Sequence, residues 1–445
     1  MTYDLDSLMR NDGFLCPSCG RRHRGGLRDC VIRRGALQAV PELIRKYGAK
    51  KPFLLCDADT WRAAGERTAA VLDGAGIPYG VHIVKRKKPA PDERIVGEAL
   101  MFCPGDADCV LTVGSGVLND TGKILSAARG IPDILVGTAP SMDGFASGTS
   151  SMEREGLKVS LPSKCPDAVV ADADILAAAP AHMIRSGIGD MLAKTVSIVE
   201  WKIAALLIGD FYCETVAGIV RHALSVCIEA GPAAVAGDGD AAARLAEGLV
   251  VSGLAMNYAG ISRPASGMEH YVSHILDMRA LAFGTPADLH GIQCGIATLG
   301  VVRAYERLAK TVPDREKAMA SVRAFDPEAW KTLLRERLGE GAESMIRGEE
   351  REGKYDPAKH AERLARIIAD WDGIRKIIAE LPPSGELEAF MKRIGHPTSF
   401  AGICVSEEDA RGAFLLAKDI RDKYVLGRLL WDLGLLEEFA AEIRL

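Results

Sequence analysis

The chain has 445 residues, of which 48% are hydrophobic and 26% charged, and it is long enough for two or more domains with their own cores. Its formal net charge of −5 excludes a strongly basic surface, so nucleic acid is not an expected partner. No apolar window of about eighteen residues predicts a membrane span, and the polar start does not resemble a signal peptide. We therefore expect a cytoplasmic protein with mostly reduced cysteines.

Residues 1–30 are predicted to form an irregular leader that contains cysteines. Cys16 and Cys19 have the Cys-x2-Cys spacing of zinc sites, and His23 and Cys30 could complete four ligands. The spacing to His23 and Cys30 is short for a folded zinc ribbon. The sequence alone therefore leaves the role of this leader open.

From about residue 50, short apolar runs alternate with helical stretches. The runs are 53–56, 81–84, 110–113 and 134–136, and the clearest helices between them are 60–75 and 121–129. This alternation predicts a parallel sheet covered on both faces, with a hairpin appended at 149–161.

Beyond residue 175, apolar residues recur at helical spacing. The predicted helices are 188–208, 211–230, 241–259 and 289–308, with a helical tail over 407–445. The polar segment 345–359 is predicted to be a loop or mobile linker. The fold class is therefore α/β, with a Rossmann-like parallel-sheet domain over 31–175 followed by an all-helical domain over 176–445.

A glycine turn marks the candidate cofactor site. Gly114, Ser115 and Gly116 follow an apolar strand and open a helix, where backbone amides can bind a pyrophosphate. The third glycine of the usual dinucleotide fingerprint is missing, so an ordinary glycine turn fits equally well. Asp57 follows the first strong strand and could bind the adenosine ribose, which favours NAD over NADP, or it could cap a helix.

The loop after the strand at 134–136 is rich in small residues and includes Asp143. Open α/β sheets bind ligands at the carboxyl ends of their strands, which is where Asp143 is predicted to lie. Asp143-Gly144 is also a common turn pair, and composition alone favours that interpretation.

Three residues far apart in sequence could hold one metal ion. Asp190, His290 and either His270 or His274 offer a carboxylate and two imidazoles, a set that leaves coordination positions open for a substrate. Asp190 is predicted to begin a helix, and His290 to lie at the start of another. His270 and His274 are four residues apart and are predicted to share one helix face.

Several segments resemble the sn-glycerol-1-phosphate dehydrogenase family, bacterial type, within the superfamily of iron-containing alcohol dehydrogenases and dehydroquinate synthase. They are 114–123, 138–144, 187–190, 262–270 and 289–291. The similarity extends from about residue 30 to 310 and resumes at 407–437. The run 263–270 is the most specific, because it is similar to the branch with phosphorylated substrates.

The resemblance implies a dehydroquinate synthase-like fold, in which the domain over 31–175 would bind NAD and the domain over 176–445 would bind the metal and the substrate. It also implies a role for each matching residue. Asp190, His270 and His290 would bind the metal, with zinc or nickel favoured over iron. Asp143, Asp190 and His274 would contact the substrate, with His274 a candidate proton relay. The implied cofactor-binding residues are Gly114, Ser115, Gly116, Val117, Leu118, Asn119, Asp120, Thr138, Ala139, Pro140, Ser141 and Ser147.

Arg263 and Lys194 are candidate phosphate-binding cations by charge and sequence position. Arg263 could equally anchor the turn before Pro264. The implied activity interconverts dihydroxyacetone phosphate and sn-glycerol 1-phosphate with NAD or NADP, in a homo-oligomer. Alternatives are a glycerol or other alcohol dehydrogenase, a dehydroquinate synthase-like cyclase that recycles NAD, and a non-catalytic binding protein.

Overall fold

A computed structural model describes residues 5–9, 13–87, 89–155 and 157–443. The chain forms two compact units. The first comprises Met1–Arg154, Lys158–Met191 and Glu214–Ser262, and the second comprises Glu155–Leu157, Leu192–Cys213 and Arg263–Leu445. The domain limits expected from the sequence, at residues 30 and 175, stay a prediction. Within the described residues, no helix has the length and apolar composition of a membrane span.

The first unit contains a six-stranded parallel sheet, with strand order β3-β10-β7-β6-β4-β5. The strands of the chain are β1 (Phe14–Leu15), β2 (Arg22–His23), β3 (Asp29–Arg33), β4 (Pro52–Asp57), β5 (Gly80–Val84), β6 (Cys109–Gly114), β7 (Asp133–Gly137), β8 (Thr149–Arg154), β9 (Leu157–Pro162) and β10 (Ala168–Asp172). Strands β1 and β2 form a small antiparallel sheet, and β8 and β9 form another two-stranded sheet. The predicted parallel sheet is confirmed.

Alternate residues of the central strands enter different cores, because successive side chains point to opposite faces of a sheet. Leu54 and Cys56 of β4 belong to one apolar cluster, whereas Phe53 and Leu55 belong to another. All four side chains are fully buried. This two-sided burial explains why β4 has a continuous apolar sequence rather than an alternating one.

Helices account for most of the remaining chain, as the predicted α/β class requires. They are α1 (Leu5–Leu8), α2 (Val40–Lys46), α3 (Ala58–Thr60), α4 (Glu66–Gly74), α5 (Glu93–Phe102), α6 (Gly116–Arg129), α7 (Ala173–Ala177), α8 (Ala181–Leu192), α9 (Lys194–Ile208), α10 (Glu214–Val235), α11 (Gly239–Ala259), α12 (Met268–Phe283), α13 (His290–Leu308), α14 (Arg315–Arg323), α15 (Pro327–Leu338), α16 (Ala342–Glu352), α17 (Pro357–Ala369), α18 (Trp371–Ile378), α19 (Ser384–Arg393), α20 (Glu407–Leu416), α21 (Leu426–Asp432) and α22 (Leu436–Glu442). The second unit is helical through α9 and α12 to α22.

The prediction of a loop or linker over 345–359 is wrong, because this segment lies mainly in α16 and α17. Met345 and Ile346 are buried, and the buried carboxylate of Glu349 forms an ion pair with Lys354. The Asp356 side chain then caps α17. High polarity in this segment therefore reflects an amphipathic helix and a paired buried charge, rather than a solvated loop.

Asp133, the first residue of β7, is a buried acid that should make stability depend on pH. Burial raises the pKa of its carboxyl from the ordinary 3.8 to about 7. The folded state accommodates the neutral Asp133 carboxyl better than the charged one. This contribution to the free energy of unfolding is fully present below about pH 4 and is lost as pH rises through about 7. We expect the free energy of unfolding to fall by up to about 4 kcal/mol over this window.

Asp133→Asn should remove this component, which urea unfolding at pH 5 and pH 8 would measure. Asp106→Asn, at an exposed acid, should leave the change between these two pH values as in the native protein. An unchanged pH dependence in Asp133→Asn would show that this carboxyl is ionised in the folded state.

Candidate functional site

The glycine turn between β6 and α6 is built by close packing. A Cβ at Gly114 would lie 2.6 Å from Leu118 Cδ1, so the strand can enter the helix this tightly only with glycine. A Cβ at Gly122 would lie 2.0 Å from Thr112 Oγ1. Gly122 therefore supplies the close helix–strand packing that the third glycine of a dinucleotide fingerprint provides.

The structure brings the two predicted cofactor loops together at the carboxyl ends of β6 and β7. The Thr138 amide donates to Gly114 O at 3.1 Å, and the Asn119 side-chain amide donates to Gly144 O at 3.2 Å. The hydroxyls of Ser115 and Ser141 are hydrogen-bonded to each other. These contacts form one polar, small-residue surface at the sheet edge where open α/β folds bind ligands.

Lys123 organises the back of this surface from within the protein. Its ammonium lies 2.8 Å from Asp120 Oδ1 and donates to Thr149 O at 2.6 Å and Ser147 Oγ at 3.2 Å. The Ser147 hydroxyl donates to Gly144 O at 3.1 Å. Asp120 and Ser147 thus hold the loop in place, and their predicted contact with a cofactor stays a prediction.

Asp57 caps a helix, as one of its two sequence-based interpretations expected. Its Oδ1 accepts from the amides of Asp59 at 3.0 Å and Thr60 at 2.7 Å, and Thr60 completes a capping box. A further role in binding ribose is compatible with the position of Asp57 at the end of β4 and stays a prediction.

Asp143 and Asp190 are brought into contact within the first unit. The Asp143 amide donates to Asp190 Oδ2 at 2.9 Å, and Asp143 Oδ2 accepts from the Ser252 hydroxyl at 2.8 Å. Asp190 lies near the end of α8, so the prediction that it begins a helix is wrong. Helix α8 runs from Ala181 to Leu192 and includes Gly187 and Gly189, so these glycines do not mark a helix start. A Cβ at Gly187 would lie 2.0 Å from Pro140 O, so this glycine lets the helix approach the loop.

Three histidines form a cluster within the second unit. His270 and His274 lie on α12, and His290 is the first residue of α13. The ring centroid of His290 is 5.0 Å from that of His270 and 5.3 Å from that of His274, and the two α12 rings are 6.4 Å apart. The predictions of a shared helix face and of a helix start at His290 are confirmed.

The buried carboxylate of Glu269 orients His270. Its Nδ1 donates to Glu269 Oε1 at 2.8 Å, which leaves the lone pair on Nε2 for a metal. Glu200 lies beside Glu269, and burial raises the pKa of Glu200 to about 8, with a further increase from the Glu269 charge. A Cβ at Gly267 would lie 2.4 Å from Glu200 Oε2, so glycine is needed beside this acid pair.

His290 is held by a hydrogen-bonded chain that links α13 to α12. Ser273 Oγ lies 3.0 Å from His290 Nδ1, and the Gln293 side-chain amide donates to Ser273 at 3.0 Å and to Asp277 at 2.8 Å. His290 belongs to two groups of side chains whose ligand atoms lie within 4.8 Å of one another: His270, His290 and Cys294; and His274, Asp277 and His290. This donor chemistry fits a divalent transition metal. Cys294 and Asp277 were not among the predicted site residues, because nothing in their local sequence marks them.

Comparisons with known proteins identify the family. The sequence model of the iron-containing alcohol dehydrogenases matches residues 31–180. The glycerol-1-phosphate dehydrogenase (NAD(P)+) of Halalkalibacterium halodurans is 34% identical over 412 residues, covering 92% of this chain and 93% of that protein. The enzyme of the same name from Bacillus licheniformis is 31% identical over 401 residues, covering 90% of this chain and 87% of that protein. The chain belongs to the glycerol-1-phosphate dehydrogenase family.

Solved structures share the fold of this glycerol-1-phosphate dehydrogenase family member. A 1,3-propanediol oxidoreductase aligns with a TM-score of 0.61 at 19% identity, covering 95% of this chain and 98% of that one. At this identity the similarity supports the fold alone. The predicted superfamily and fold class are confirmed.

Arg263 has a structural role in this family member. Its guanidinium donates to Tyr424 O at 3.0 Å and forms an ion pair with Asp210, and the side chain is buried. These contacts correspond to the anchoring role that the sequence left open. A substrate-binding role for Arg263 stays a prediction, as it does for Lys194, which is buried at the start of α9.

Proposed function

We propose that the chain interconverts dihydroxyacetone phosphate and sn-glycerol 1-phosphate, using NAD(H) or NADP(H) and a bound divalent metal. One observation carries the proposal: the imidazoles of His270, His274 and His290 converge, and His270 is oriented by a buried glutamate. The names of relatives that match about nine-tenths of the chain support the choice of substrate and cofactor.

We assign the metal to His270 and His290 of the second unit and to Asp190 of the first unit. The assignment of Asp190 comes from the family resemblance, and the carboxylate of Asp190 is already oriented by the Asp143 amide. Zinc or nickel is favoured over iron. When bound, the metal supplies charge stabilisation at the substrate oxygen, and the nicotinamide supplies hydride.

The protein's own groups provide orientation and a proton. Glu269 fixes the proton on His270 Nδ1, so that Nε2 is the basic nitrogen. Asp143 is held by Ser252 and is assigned to the substrate hydroxyls. His274 is assigned as the proton relay to the substrate oxygen, because its ring stacks on that of His290 at an interplanar angle of 16°.

A substrate panel tests the proposal through cofactor turnover. We expect kcat/KM for dihydroxyacetone phosphate to exceed that for unphosphorylated dihydroxyacetone by about 100-fold, because charge-assisted contacts to phosphate contribute about 3 kcal/mol. Equal values would instead support a glycerol dehydrogenase. Conversion of a substrate without a net change in the amount of NADH would support a cyclase that recycles NAD. Binding of the cofactor without turnover of any substrate would support a binding protein.

Glu269→Gln should weaken metal binding about 10- to 100-fold, because the amide is a poorer partner for His270 than the carboxylate. Competition with a chromogenic chelator measures this affinity. Glu336→Gln, at an exposed acid of the same unit, is the matched control and should bind metal as the native protein does. Unchanged affinity in Glu269→Gln would remove the orienting role of this acid.

A further inference from the structure

The cysteine-containing segment before β3 folds around a tight turn in the first unit. Strands β1 and β2 pair Phe14 with His23. Between them the chain reads Cys16-Pro17-Ser18-Cys19-Gly20. The Cys16 amide donates to Arg21 O at 2.9 Å, the Gly20 amide donates to Cys16 O at 3.0 Å, and Gly20 has a φ of +70°. The turn thereby brings both sulfur atoms to the same side as His23.

Cys16, Cys19 and His23 present their ligand atoms within 4.8 Å of one another. Cys19 Sγ lies 3.3 Å from His23 Nε2. Cys16 and His23 are each only 2% exposed, so this is an enclosed cluster rather than a group of surface side chains.

The tautomer of His23 is set by a backbone acceptor. Its Nδ1 lies 2.6 Å from Tyr258 O, and a carbonyl can only accept, so Nδ1 carries the proton and Nε2 carries the lone pair. Phe14 and Tyr258 flank the ring, with centroids 5.3 and 6.1 Å from that of His23. A histidine whose distal N–H donates to a carbonyl, with its other nitrogen beside two sulfurs, has the arrangement of a metal ligand.

We propose that Cys16, Cys19 and His23 bind a structural zinc ion, distinct from the proposed catalytic metal, with Cys213 as the fourth ligand. Three cysteine thiolates and one imidazole form the closed tetrahedral set of structural zinc sites, which leaves no open position for a substrate.

Chain connectivity favours Cys213 over Cys30 as the fourth ligand. Thr215, in the first turn of α10, lies next to the cysteine turn: its hydroxyl is 2.9 Å from Ser18 Oγ and its amide donates to the same atom at 3.2 Å. Cys213 is two residues from Thr215. Cys30, by contrast, lies within β3, where it pairs with Val169 of β10.

The proposed zinc would steady the loop that carries Ser147. After the turn, the Asn257 side chain links the cysteine-containing segment to this loop. Its amide nitrogen donates to Gly25 O and, at 2.7 Å, to Ala146 O, and its amide oxygen accepts from the Gly148 amide at 2.7 Å. Folding of the segment 13–28 is thereby coupled to the shape of the loop assigned to the cofactor.

Zinc content and cobalt spectra in the His290→Ala background test this site separately from the catalytic metal. We expect about one zinc per chain in His290→Ala and in the double variant His290→Ala/Cys30→Ser. We expect no zinc in double variants that combine His290→Ala with Cys16→Ser, Cys19→Ser or Cys213→Ser. Cobalt-substituted His290→Ala should show thiolate-to-cobalt charge-transfer absorption, which requires no destabilising change at the cysteines.

Three results would overturn the proposal: zinc-free, folded His290→Ala protein; a cobalt spectrum without thiolate bands; or zinc retained after loss of Cys19. Loss of zinc with Cys30→Ser but not with Cys213→Ser would overturn the choice of fourth ligand. These outcomes do not depend on the substrate assignment, because none of them uses enzyme activity.

Discussion

His290→Ala should lower the turnover of dihydroxyacetone phosphate by about 1,000-fold or more. Charge stabilisation of the substrate oxygen by a metal contributes several kcal/mol, and each 1.36 kcal/mol corresponds to a factor of ten in rate. His290 belongs to both groups of potential ligands found among the described residues of the second unit, so this change removes one candidate ligand from each group. Steady-state oxidation of NADH, measured alongside metal content, reports the effect.

The matched control for this variant is His222→Ala, at an exposed histidine on α10. It should keep native turnover and metal content. Circular dichroism and thermal melting must show that His290→Ala is folded, since unfolding would also abolish activity. Native turnover in folded, metal-poor His290→Ala would exclude this histidine from the mechanism.

Gly187→Ala should disrupt the proposed cofactor site without removing a catalytic side chain. The new Cβ would lie 2.0 Å from Pro140 O and 3.2 Å from Leu249, so α8 or the loop before Asp143 must move. Overpacking of this kind costs about 1–3 kcal/mol in the free energy of unfolding. Displacement of Pro140 and Ser141 should also raise the KM for the cofactor by about 10-fold or more.

Gly97→Ala, at another helical glycine on α5, should have the opposite effect on the free energy of unfolding. A Cβ there meets nothing within 4 Å, so the change should stabilise the protein by up to about 1 kcal/mol. Urea unfolding and cofactor titration of both variants measure the contrast. Equal stability and equal cofactor KM in the two variants would contradict the tight packing of α8 against the loop.

The sheet could be predicted from sequence where burial on both faces makes a strand continuously apolar, as in β4 and β6. Two strands of the same sheet, β3 and β10, were not predicted. Strand β3 is only partly buried and carries charged ends, and β10 is a short run before a helix cap at Asp172. The helical segment 345–359 was missed because local polarity does not reveal that Glu349 is paired internally.

The histidine cluster could be predicted because helical spacing and family motifs mark its members individually. Contacts between residues far apart in sequence could not be predicted in this way. The Asp143–Asp190 contact depends on how closely Gly187 lets α8 approach a loop, and the cysteine turn meets Thr215 across 197 residues. The Asp57 cap was foreseeable, since an aspartate before a helix commonly serves that role.

The most direct measurement is NADH consumption with dihydroxyacetone phosphate by chelator-treated protein, before and after addition of zinc or nickel. We expect the metal-depleted protein to consume no NADH above background and the added metal to restore turnover. Turnover at the native rate in protein shown to contain no metal would contradict the proposed function.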